Sequence, residues 1–169
     1  PPHVETLIEG KKHGNMFNQP LPGDIENPED FIPAISILTA LRGRLGENTA
    51  IHYAKGCDVL GDSTAGFAEA VAAARAAQVA VVVVGDKAGL TNDCTSGEAR
   101  DRAELDLPGV QSQLVQAIYE TGTPLVLVLV NGRPVTLGWI AEHVPAILES
   151  WFPSEEGADA IVDVLFGDV

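Results

Sequence analysis

The sequence predicts an α/β architecture with a largely parallel sheet, and three observations carry that prediction. Short apolar runs alternate with longer segments of helical periodicity from residue 31 onward, the pattern of strands joined by crossover helices. Residues 79–85 and 124–130 are apolar at consecutive rather than alternate positions, Val-Ala-Val-Val-Val-Val-Gly and Pro-Leu-Val-Leu-Val-Leu-Val; such runs read as strands covered on both faces. Finally, 169 residues with 46% hydrophobic and 20% charged side chains suffice for one domain with a real core.

The elements follow in order. Residues 1–30 hold eight breakers, Pro1, Pro2, Gly10, Gly14, Pro20, Pro22, Gly23 and Pro28, and read as irregular with at most a turn of helix at 4–9. Residues 31–45 are predicted helical, with Ile35, Leu38, Leu41 and Leu45 at helical spacing and Gly46 as the stop. Residues 49–54 read as a strand. The alanine-rich stretch 64–77 is a strong helix former, capped by Ser63 or Thr64, with Phe67, Val71 and Ala74 as its apolar stripe. After strand 79–85 comes a polar stretch to residue 107, then a helix over 109–120 with Val110, Leu114, Ala117 and Ile118 on one face. Strand 124–130 leads into the turn Asn131-Gly132-Arg133-Pro134, a short helix at 139–143 and a strand at 145–150. Ser154 is expected to cap a helix over 155–165, with Glu155 and Glu156 at the positive end of its dipole. Four strands result.

The stretch 86–107 is the candidate functional element. It is about twenty residues long where βα loops usually run about 2–6, and it leaves the carboxyl end of a strand, where open α/β sheets bind ligands. The net charge of −14 argues against nucleic acid, whose phosphates require a basic footprint. No apolar stretch approaches the roughly 20 residues of a membrane span. Cys57 and Cys94 match no zinc spacing and form no disulfide framework. No GxGxxG follows the first strand and no GxxxxGK[ST] occurs, so nucleotide-binding readings are weak.

Several motifs in order resemble the second domain of glycoside hydrolase family 3. They are Tyr53-Ala54-Lys55-Gly56-Cys57-Asp58-Val59, Ser96-Gly97-Glu98-Ala99-Arg100-Asp101-Arg102, Leu105-Asp106-Leu107-Pro108-Gly109-Val110-Gln111, Val130-Asn131-Gly132-Arg133-Pro134, Trp151-Phe152-Pro153-Ser154-Glu155-Glu156-Gly157 and the ending Asp163-Val164-Leu165-Phe166-Gly167-Asp168-Val169. Phe31-Ile32-Pro33-Ala34 looks like the bacterial β-glucosidase branch. The resemblance implies a three-layer α/β/α sandwich over residues 31–169, mostly parallel and incomplete at both ends: one strand is expected before Pro1 and another after Val169. Residues 1–30 then form an irregular inter-domain segment close to the active site.

The resemblance further implies a retaining exo-acting β-glycosidase, β-glucosidase-like, acting on a β-linked glucoside or oligosaccharide without metal or organic cofactor. An N-terminal barrel domain would carry the nucleophile, and Glu98 would be the general acid/base. Retention needs two carboxyl groups about 5–5.5 Å apart, one attacking the anomeric carbon and one protonating the leaving oxygen before activating water. Ser96 and Gly97 would shape the loop. Asp101 and Arg102 would support it through ion pairs and bonds to backbone, or touch the sugar. Asp86, Lys87 and Asp93 read as further loop supports. His3 and His13 read as surface residues, and His52, His143, Trp139 and Trp151 as packing residues. Asn131 and Arg133 read as turn residues. From local pattern alone Glu98 reads first as a solvated loop carboxylate, and the resemblance reverses that order. A β-xylosidase or other β-glycosidase, and a non-catalytic α/β interaction domain, are the competing readings.

Overall fold

A computed structural model describes residues 35–89 and 91–169; His3, His13 and the segment 1–30 lie outside the described residues. The described elements are α1 (Ile37–Leu45), α2 (Phe67–Ala76), β1 (Ala80–Gly85), α3 (Gln111–Tyr119), β2 (Leu125–Val130), α4 (Trp139–His143), β3 (Ala146–Glu149) and α5 (Gly157–Phe166). The three strands pair in parallel in the order β1-β2-β3, from Ala80 opposite Leu125 to Gly85 opposite Val130, and from Val126 opposite Ala146 to Leu129 opposite Glu149.

Strand pleating sends successive side chains to opposite faces, and both faces are covered. On one, Val82, Val84, Leu125, Leu127 and Leu129 meet Ala70 and Ala74 of α2, Leu114, Val115 and Ile118 of α3, and Ile140 of α4. On the other, Val128 and Val130 meet Ile37 and Ala40 of α1 and Ala158, Ile161 and Val162 of α5. β2 is apolar at every position because it is the central strand, and five of its six residues, Val128 among them, are at most 2% exposed. Burying one such Val or Leu stabilises the fold by about 1.5–3 kcal/mol.

Four sequence expectations are corrected. Residues 50–58 belong to no strand, so the sheet has three described strands, not four. The apolar pattern of 49–54 is local, whereas a strand also needs a hydrogen-bonded neighbour, and this stretch lies across a cavity from β1. Second, α1 buries Ile37 and Ala40, whereas Ile35 is exposed and Leu38, Leu41 and Leu45 are only partly covered. Third, neither Ser63 nor Thr64 caps α2. Its N-cap is Gly66, and the main-chain carbonyl of Thr64 instead receives the Phe67 N–H at 3.0 Å. Fourth, α5 starts at Gly157, whose N–H bonds the Ser154 carbonyl at 3.0 Å, so Ser154 lies a turn outside the helix and Glu156 is its N-cap. By contrast α1 begins on Ser36, whose hydroxyl accepts the Thr39 N–H at 3.0 Å.

Candidate active site

The loop after β1 is built from two arms and a corner. Asp86 prolongs the ladder, its N–H bonding the Val130 carbonyl at 2.9 Å. Its side chain is fully buried, and one carboxylate oxygen accepts the Thr95 hydroxyl at 2.8 Å. The chain then folds back on itself: Thr95 N–H meets the Lys87 carbonyl at 2.8 Å, Lys87 N–H meets Thr95 Oγ1 at 2.9 Å, and Gly89 N–H meets the Ser96 carbonyl at 3.1 Å. The stem 87–89 against 95–96 thus carries the backbone outward and returns it to the carboxyl end of β1. Gly97 makes the return possible. Its φ of +146° suits glycine, and a Cβ there would lie 2.5 Å from the Gly89 carbonyl oxygen.

Glu98 and Ala99 form the corner, closed by the Arg100 N–H on the Gly97 carbonyl at 3.1 Å. Both side chains are exposed. Ala99 holds φ +54°, a left-handed conformation that costs an L-residue roughly 1–2 kcal/mol.

The descending arm is held from below by Arg133. Its guanidinium pairs with Asp101 and donates to the carbonyls of Arg102, at 3.0 Å, and of Glu104. The Arg133 side chain is 12% exposed against 75% for Asp101, so the cation is fixed and the carboxylate rides on it. Asp101 also accepts the Arg102 N–H at 2.8 Å, and the Arg102 guanidinium donates to the Asp106 carbonyl. Thr136 then closes the arm, its N–H on the Leu105 carbonyl at 2.9 Å and its hydroxyl on the Asp106 carboxylate. Planar guanidinium forks suit such multi-carbonyl bracing better than an ammonium would.

Of the four neighbours of Glu98 singled out in the sequence, Gly97 makes the bend and the side chains of the other three point different ways. Ser96 faces inward to the β2 turn, where a Cβ on Gly132 would lie 2.6 Å from Ser96 Oγ and would run into the Phe152 ring. Asp101 meets Arg133, and Arg102 turns down onto backbone. Arg133 was read as a turn residue; its 32-residue separation from Asp101 leaves no local signal for the contact. Asn131 is likewise more than a turn residue. It is fully buried, and its amide donates to the Arg133 carbonyl at 2.7 Å and approaches Glu149 Oε2 at 3.5 Å. Glu149 Oε1 in turn accepts the Trp151 N–H at 3.1 Å. Trp151 is no core residue: it is 51% exposed and holds φ +54°. Trp139 does pack, stacking on His143 at 4.3 Å with Tyr119 edge-on at 5.1 Å. His52 is exposed, because the stretch that carries it is not in the sheet.

Lys87 and Asp93 close the outer turn, Nζ to Oδ2 at 2.7 Å, while the Thr91 hydroxyl donates to Asp93 Oδ1 at 2.5 Å. The Lys87 bond, then the Thr91 bond, hold the Asp93 carboxyl down at about 2. A depressed carboxylate stabilises the folded state above its unfolded value and loses that contribution as pH falls through the folded one. The 91–94 turn is therefore expected to loosen between pH about 4 and pH about 2. Following the Asp93 side-chain carbon by NMR checks this, and a midpoint at the ordinary value of about 3.9 would contradict the pairing. Asp93→Asn should remove the response.

Among the described residues no group of three or more His, Cys, Asp or Glu side chains is gathered to hold a metal ion, and no helix is long and apolar enough to cross a membrane.

Comparison with known proteins matches residues 2–169 to the glycosyl hydrolase family 3 C-terminal domain. A β-xylosidase of Formosa agariphila is 47% identical over 135 residues, covering 80% of this chain and 18% of the relative. A periplasmic β-glucosidase of Salmonella typhimurium is 37% identical over 155 residues, covering 80% and 20%. Among solved structures, the family 3 β-glucosidase of Bifidobacterium adolescentis superposes with a TM-score of 0.69 at 30% identity, covering 80% of this chain and 19% of that one. A family 3 exo-β-xylosidase bound to a xylobiose aziridine probe gives 0.68 at 31% identity, covering 80% and 17%. The chain thus spans about a fifth of the length of these relatives.

Proposed function

Because this chain belongs to glycosyl hydrolase family 3, as its C-terminal domain, we propose that it serves a retaining β-glycosidase by supplying the general acid/base, Glu98. The nucleophilic carboxylate would stand on another domain of the same polypeptide. In the first step that carboxylate attacks the anomeric carbon while the Glu98 carboxyl gives its proton to the departing glycosidic oxygen. In the second the Glu98 carboxylate takes a proton from water, which attacks the glycosyl-enzyme and restores the starting configuration.

The observation that supports this reading is the mounting of Glu98. It sits at the exposed corner of a loop beyond the carboxyl end of the sheet, on a stem paired at 87–89 and 95–96 and an arm braced by Arg133. A proton donor that must meet a group on another domain needs both reach and a fixed position, since misplacement by about 1 Å can cost about a hundredfold. Asp101 and Arg102 act here as positioning residues.

The natural enzyme is the material for the test. The alkaline limb of a kcat/KM profile reports ionisation of the essential acid, so Glu98→Gln should flatten that limb while leaving the acidic one. A profile that keeps its bell shape would remove Glu98 from the reaction. Both an aryl β-glucoside and an aryl β-xyloside belong in the assay, because the 47%-identical relative is a β-xylosidase and the 37%-identical one a β-glucosidase. A smaller effect concerns the brace: Arg133→Ala is expected to lower kcat about ten- to a hundredfold with little change in KM, and Arg133→Lys to restore only part of it.

A further inference from the structure

We infer that Trp151 is the surface on which the leaving group of the substrate stacks, a pyranose or an aryl ring, beside the loop that carries Glu98. This deepens the glycosidase reading above and rests on it. The starting point is a tryptophan placed where neither backbone preference nor packing calls for one. Trp151 holds φ +54°, a left-handed conformation that glycine adopts freely and a residue with a Cβ only at a cost. Burial of the large indole could offset that cost, yet Trp151 is 51% exposed. Among the described residues no ring stacks on it. The next residue behaves in the opposite way, since Phe152 packs against the core cluster of Val128 and Val130. Residues kept in strained backbone gather at active sites and ligand clamps.

The bend puts the indole on the rim of the sheet that also bears Glu98. The Ser150 N–H still bonds the Leu129 carbonyl at 3.0 Å, so the ladder runs to Ser150 and the chain leaves the sheet at Trp151. The three strands are parallel, so the loop 86–107, the turn 131–134 and Trp151 all follow carboxyl ends, the edge where such sheets bind ligands. Gly132 joins the outer two. A Cβ there would lie 2.6 Å from Ser96 Oγ and would run into the Phe152 ring, so the residue two before Glu98 and the residue after Trp151 rest on one glycine.

The same turn anchors both partners. The Trp151 N–H bonds Glu149 Oε1 at 3.1 Å, and Glu149 Oε2 lies 3.5 Å from the Asn131 amide, which donates to the Arg133 carbonyl at 2.7 Å. The Arg133 guanidinium then pairs with Asp101 and holds the descending arm of the Glu98 loop. The backbone of Trp151 is therefore fixed to the turn that fixes the acid, while its ring stays open.

The chemistry names the ligand. The acid stands beside the glycosidic oxygen, which is bonded to the leaving group, whereas the sugar under attack faces the nucleophile on another domain. Surface flanking the acid loop is thus surface against the leaving group. A β-gluco- or β-xylopyranose turns axial C–H bonds to its two faces, and an aryl ring is flat and apolar; either covers an indole face, and the indole N–H can donate to a hydroxyl at the ring edge. Contact there, away from the reacting bond, helps hold the glycosidic oxygen against Glu98.

The test compares two substrates of the natural enzyme with the same glycosyl group. One is a disaccharide. The other is the β-glycosyl fluoride, whose leaving group is a single atom with nothing to stack. Asparagine tolerates left-handed backbone, so Trp151→Asn removes the ring without straining the bend. It is expected to lower kcat/KM about tenfold on the disaccharide and to leave the fluoride unchanged, which also shows the variant to be folded. Trp151→Phe should keep most of the disaccharide rate. Equal losses on both substrates in both variants would overturn the proposal by making the indole a packing residue against another part of the polypeptide, and no loss on either would overturn it outright. Failure here is distinct from failure of the Glu98 assignment, because Trp151→Asn should keep the alkaline limb of the profile that Glu98→Gln is expected to flatten.

Discussion

Gln111→Ala is expected to lower the stability of this chain by about 2–4 kcal/mol, out of a total of about 5–15 kcal/mol for a natural domain. Gln111 is 3% exposed. Its amide oxygen accepts the Gly85 N–H, and its two N–H donors are shared among three carbonyls, of Gly85 at 2.9 Å, Pro108 at 3.1 Å and Val59 at 3.2 Å. One side chain thus joins the end of β1, the start of α3 and the stretch before α2. Truncation leaves those buried groups unpaired, and each loses its desolvation compensation rather than only a net bond. Urea melts should show the midpoint falling by roughly 1–2 M at unchanged slope. Gln111→Glu keeps an acceptor for Gly85 but removes the donor and buries a charge, so its loss should be at least as large. A shift below about 0.5 kcal/mol, the range of ordinary surface substitutions, would mean that the junction is not held as described.

The second large effect is on turnover. In the proposed enzyme Glu98→Ala should lower kcat/KM by about 10²–10⁴-fold on glycosides with poor leaving groups, the usual contribution of a positioned acid. Substrates with an activated aryl leaving group need no proton to depart, so their loss in the first step should be small. That divergence separates acid catalysis from simple misfolding, which would depress every substrate alike. Stability should barely move, since Glu98 is exposed.

Much of this was legible in the residues. Consecutive β-branched and leucine positions marked β1 and β2 because a strand covered on both faces has no polar side to show. Alanine content marked α2, and helical spacing marked α3. The long interruption at 86–107 marked the candidate loop because a compact fold tolerates such a length only for a reason. What escaped depends on contacts made through space. Residues 49–54 have the composition of a strand, but a ladder requires a neighbour, and β1 lies across a cavity. Arg133 braces Asp101 from a different turn, so no window along the chain contains both. The left-handed backbone at Ala99 and Trp151 goes against the preference of both residue types, so propensity pointed away from it. Helix starts shifted by two or three residues because main-chain carbonyls at Thr64 and Ser154 took N–H groups that hydroxyls were expected to take.

The central claim is that Glu98 is the proton donor and acceptor for a nucleophile carried elsewhere on the polypeptide. The most direct measurement is azide rescue of Glu98→Ala in the natural enzyme with an activated aryl β-glycoside. Azide is already anionic and needs no base, so it should release the stalled glycosyl-enzyme, raise the steady-state rate and give a β-glycosyl azide, with the starting configuration kept. Full activity without azide, or a rate that azide leaves unchanged with no glycosyl azide formed, would contradict the assignment.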